Sequence, residues 1–60
     1  MHSDSDIKFI LRTACESGNI EIVKEMIENG ATNFDEGLIY ARKGGHIEII
    51  KLMIENGATN

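Results

Sequence analysis

Three side chains in this sequence could take part in covalent or metal chemistry: Cys15, His2 and His46. A thiol beside an imidazole base is the minimum for nucleophilic catalysis, yet no nucleophile-elbow or cysteine-protease sequence surrounds Cys15. The three lack metal-ligand spacing, and a structural zinc site takes four ligands. Cys15 lies beside an apolar stripe, where an unpaired cysteine acts as a small hydrophobe. A lone cysteine cannot form an internal disulfide, which points to an intracellular, cytoplasmic setting. Gly44-Gly45 precedes a helix start that could attract an anion. Phosphate-binding glycine motifs need more glycines and a preceding strand, so the pair reads as a turn, with His46 bonding to local backbone. The expectation is a protein that is not an enzyme and has no metal and no cofactor.

Bulk properties exclude further classes. Six Lys and Arg against ten Asp and Glu give a net charge of −4 over 60 residues. Non-specific nucleic-acid binding needs a basic surface that displaces counterions, so a nucleic-acid partner is not expected. The longest apolar run, Leu38 to Ala41, is four residues and far too short to span a bilayer. Met1 to Asp6 is polar and acidic, unlike a secretory signal peptide. A hydrophobic fraction of 42% without a single Pro argues for a folded helical domain.

The elements that position these residues repeat. Ile-Glu-Asn-Gly-Ala-Thr-Asn occurs at 27–33 and again at 54–60, and sliding 7–33 onto 34–60 gives 15 identities in 27 positions. The organisation expected is a polar leader and N-cap over 1–6, one unit over 7–33 and a second over 34–60. Ile7, Ile10, Leu11 and Ala14 fall on one helical face, and Phe34, Gly37, Leu38 and Ala41 repeat it. Gly18 and Gly45 should end those helices in the left-handed conformation. Asn19, a good N-cap, and His46, a weaker one, open second helices carrying Ile20, Val23, Met26 and Ile27, or Ile47, Ile50, Met53 and Ile54. Asn33 with Glu36 fits a capping box, and Ser3 with Asp6 a weaker one. The spacing predicts helices over 4–16, 20–29, 34–43 and 47–56, and an all-α fold.

Ala41 to Ala58 resembles the helical core of an ankyrin repeat: Ala, variable residues, Gly-His, a Glu-Val-Val-like stretch, a Leu-rich triplet and Gly-Ala. The first unit matches with Asn19 in place of His46 and Glu25 in place of Leu52, and the resemblance covers 7–60. Ankyrin units run to about 33 residues, whereas this period is 27. Between Asn33 and Leu38 there are too few residues for the family's β-hairpin and a helix start. The chain is similar to shortened, hairpin-less arrays in large DNA viruses and protists. The resemblance implies an ankyrin-like α-solenoid of two helix-turn-helix repeats that binds protein.

Two surfaces follow. Lys8, Arg12 and Glu16 step by four along one first helix, and Asp35, Ile39 and Lys43 along the other. The family implies that such positions line a concave partner-binding surface, with Tyr40 adding an apolar element. The second helices differ at Glu25 and Leu52. Terminal units of an array need a polar outer face, so Glu25 marks a cap and Leu52 an interior-type unit. Ile49, Leu52 and Met53 are the expected self-association residues, with a homo-oligomer, a dimer foremost. The alternative is an assembly unit, or a fragment of a longer array, without a separate partner.

Overall fold

The computed structural model describes residues 3–59; Met1, His2 and Asn60 lie outside them. Four helices follow in order: α1 Asp4–Ser17, α2 Ile20–Glu28, α3 Phe34–Gly44 and α4 Ile47–Glu55. The described residues contain no strand. Ser3 caps α1, its Oγ accepting from the Asp6 amide at 3.2 Å. Gly18 ends the helix with φ 87°, where only glycine escapes a steric penalty. Asn19 caps α2 through Oδ1, which accepts from the Ile22 amide at 3.3 Å. Both second helices close alike: the amides of Ala31 and Ala58 donate back to the carbonyls of Met26 and Met53. That is the six-to-one bond of a glycine-ended helix.

α3 begins directly at Phe34, and no β-hairpin precedes it. The capping box expected there does not form. Asn33 makes no side-chain cap bond. Its Nδ2 instead donates to the Lys8 carbonyl at 3.3 Å and to Glu36 Oε1 at 3.1 Å. The same Glu36 oxygen meets the Arg12 guanidinium at 3.1 Å, so the carboxylate is shared between the Asn33 side-chain amide and a charged partner on α1.

The helices form two pairs stacked side by side, α1 with α2 and α3 with α4. α1 and α3 share the broadest junction, and α2 and α4 meet over a much narrower one. One core runs through both pairs, with Leu11, Val23, Leu38, Ile49 and Met53 closed to solvent. Leu11, Val23, Leu38 and Met53 are residues that the spacing of three and four assigned to the inner faces; on α4 the stripe is turned from the expected one, with Ile49 buried and Ile47 and Ile54, expected inside, exposed. Close approach of α3 to α1 depends on Gly37, where a Cβ would come within 2.7 Å of Met53 Sδ and 3.2 Å of Cys15 Sγ.

Candidate functional site

Cys15 is wholly enclosed, and burial pushes its thiol up to about 11 from an ordinary 9.0. Only the thiolate is a nucleophile, so at mildly alkaline pH the folded chain holds roughly a hundredfold less of it than a free cysteine would. A maleimide or disulfide reagent should therefore label Cys15 only as the chain unfolds. Rapid labelling of the folded chain in native buffer would contradict this packing.

His46 does not bond to local backbone as expected. Its Nε2 lies 3.0 Å from the carbonyl of Glu16, across the junction between units. A carbonyl only accepts, so that nitrogen carries the proton. The ring occupies the space that a Cβ on Gly18 or Gly44 would need, and it makes no cap bond to α4. Beside it a shallow groove of about 300 Å³ runs from Gly18 and Ile20 to Glu48 and Ile49. His46 and Glu48 are its only ionisable lining side chains, too few to converge on a substrate. Among the described residues no three His, Cys, Asp or Glu could hold a metal ion together. No helix among them is long and apolar enough to cross a membrane.

The expected partner-binding residues fall into two sets. Lys8 pairs with Asp4 at 3.3 Å, Arg12 with Glu36 at 3.1 Å, and the Glu16 carbonyl receives His46. The α1 column is thus tied into its own helix and to the second unit. The Asn33 amide and then Arg12 hold the Glu36 carboxyl below the usual range. On α3, Asp35 accepts from the Thr59 amide at 2.7 Å. The Lys43 ammonium sits 5.5 Å from the centre of the Tyr40 ring, a cation–π distance. Ile39 stands 57% exposed.

The expected self-association residues are placed differently. Ile49 and Met53 are sealed within the chain's own core and present no surface to a second copy. Leu52 is half-buried. Comparing equivalent positions in the two units shows why. Ile20, Val23 and Ile27 of α2 are half-buried or buried, whereas Ile47 and Ile54, in the same places on α4, are 62% and 50% exposed. The flank of α2 that receives α4 is therefore the flank that α4 leaves uncovered. Leu52 and Ile49 lie toward the core instead: Leu52 packs partly buried against it, and Ile49 is buried where Ile22 of α2 is only half-buried. The uncovered flank consists of Ile39 on α3 with Ile47, Ile50 and Ile54 on α4.

Sequence reasoning missed this flank, and also Phe9, which is 58% exposed at the other end of the stack. The signal lay in the positions that differ between units, Phe9 with Glu36 and Arg12 with Ile39. A family model described as ankyrin repeats (3 copies) matches residues 2–60. No curated protein and no solved structure matches the chain.

Proposed function

Since the chain belongs to the ankyrin-repeat family, whose helix pairs are generally non-catalytic protein-interaction modules, we propose that it binds protein and also joins copies of itself through the flank left uncovered by its second helix pair. The repeat is a shortened form in which α3 follows its loop without a hairpin, of the kind found in arrays of large DNA viruses and protists. Its setting is cytoplasmic. A separate partner would lie on the first-helix face, along Lys8, Arg12 and Glu16 and along Asp35, Ile39, Tyr40 and Lys43.

The observation that carries self-association is the exposure of Ile47 and Ile54 at positions whose first-unit equivalents are covered. Covering one large aliphatic side chain contributes about 1.5–3 kcal/mol, a sizeable addition for a domain of this length. Sedimentation equilibrium of the wild-type chain at high micromolar concentration should give a mass well above 6.7 kDa. The double variant Ile47→Glu/Ile54→Glu should sediment as a monomer and keep its helical signal, because both side chains already face water. A wild-type chain that unfolds cooperatively yet stays monomeric at that concentration would refute the reading.

A further inference from the structure

We propose that copies join head to tail: the α3–α4 flank of one copy receives the α1–α2 flank of the next, in the register the chain already uses between its own two units. This specifies the geometry of the self-association proposed above and rests on it. Inside the chain, Arg12 of the first unit meets Glu36 of the second at 3.1 Å. Moving forward by the 27-residue period turns Arg12 into Ile39. On the copy that follows, the place of Glu36 is held by Phe9. The same register between copies thus sets Ile39 against Phe9. These two are large apolar side chains, 57% and 58% exposed in the single chain. Where the inner junction carries a charge pair, both outer surfaces have exchanged to apolar residues that match each other.

The second helices agree with this register. Ile47 and Ile54 would be covered as Ile20 and Ile27 already are. Glu25 would arrive at the place equivalent to that of Leu52, a half-buried position within reach of water. Gly45, the equivalent of Gly18, has open space where Gly18 holds the His46 ring, and Asn19 would enter it. A two-fold pairing of α3–α4 flanks would leave Phe9 bare on both copies; only the head-to-tail joint covers both surfaces. Arg42 and Ile10 replace the smaller Cys15 and Gly37, and the first turn of α1 comes in beside Thr59. The joint is therefore wider and weaker than the inner one. A heterologous contact that does not close on itself gives an open series instead of a fixed dimer.

The test exchanges the pair for the one the chain uses internally. Ile39→Arg and Phe9→Glu each place one mismatch in every joint, Arg on Phe or Glu on Ile. Each alone should need at least tenfold more protein to associate, with an unchanged far-UV spectrum. An equal mixture should associate like wild type, because its joints alternate between Arg–Glu and Ile–Phe. If either variant fails to fold, the reversed pair Ile39→Glu and Phe9→Lys gives the same test. A Phe9→Glu chain that associates like wild type, or a mixture no better than its components, overturns the head-to-tail register and leaves self-association standing. A monomeric wild-type chain overturns self-association itself.

Discussion

Gly44→Ala should abolish the folded state or bring it close to unfolding. Gly44 is the last residue of α3, and its helical backbone exacts no conformational penalty on alanine. The added Cβ, however, would lie 2.4 Å from the Glu16 carbonyl oxygen and 2.6 Å from His46 Cδ2. The first obstacle is backbone at the end of α1, which cannot swing away as a flexible side chain does. Overpacking of this kind costs about 1–3 kcal/mol or more, and displacing His46 from Glu16 gives up a further ~1 kcal/mol. A domain of this length holds roughly 3–9 kcal/mol in total. Gly57→Ala is the control. Gly57 has φ 105° and nothing within 4 Å of a Cβ, so only the left-handed backbone opposes it, at about 1–2 kcal/mol. Urea unfolding followed by far-UV circular dichroism separates the two. If Gly44→Ala proves no worse than Gly57→Ala, the seating of His46 between the units is wrong.

The same locus shows what could be read from the sequence. Helix positions were legible because each rests on local chemistry: apolar spacing of three and four, Gly18 and Gly45 as stops, Ser3 and Asn19 as caps. The observed helices begin at the expected residues, and their ends differ by one. The role of His46 was hidden because its partner, the Glu16 carbonyl, is 30 residues away, and no local rule points to a backbone oxygen. A trace exists in the paired differences: the first unit has Ser17 and Asn19 where the second has Gly44 and His46. Only the second unit has another unit's α1 against the end of its first helix, so only there must the side chain vanish. The flank was misplaced for a related reason. Leu52 in place of Glu25 indicates that this position of α4 is less polar than on α2, without saying which side the neighbour occupies. That side follows from comparing burial at Ile20 and Ile27 with Ile47 and Ile54, which requires coordinates. The role of Asn33 could not be foreseen either, because its side-chain amide shares the Glu36 carboxylate with Arg12, a partner 24 residues from Glu36 in sequence.

Leu11→Ala should unfold both units together, not the first alone. Leu11 is wholly buried, as is its equivalent Leu38. Truncating such a leucine costs about 2–5 kcal/mol, most or all of the roughly 3–9 kcal/mol available. In a repeat array the loss spreads as far as the interfaces between units exceed the stability of each unit alone. Here the interface is extensive relative to the units. Arg12 with Glu36, the Asn33 side-chain amide with Glu36, and the Glu16 carbonyl with His46 all cross it. Cys15 fills the space that Gly37 leaves. A single unit would lose all of these, so α3–α4 should not persist beside an unfolded α1–α2. The expected far-UV signal for Leu11→Ala is loss of helix from the whole chain in one transition. Retention of about half the helix would show that the units are independent. The flank of Ile39, Ile47 and Ile54 exists only while α3 and α4 stay docked on α1 and α2. Leu11→Ala should therefore also abolish association, although Leu11 lies outside that flank. If this variant still formed oligomers with native-like helicity, the contact between copies would have to use another surface.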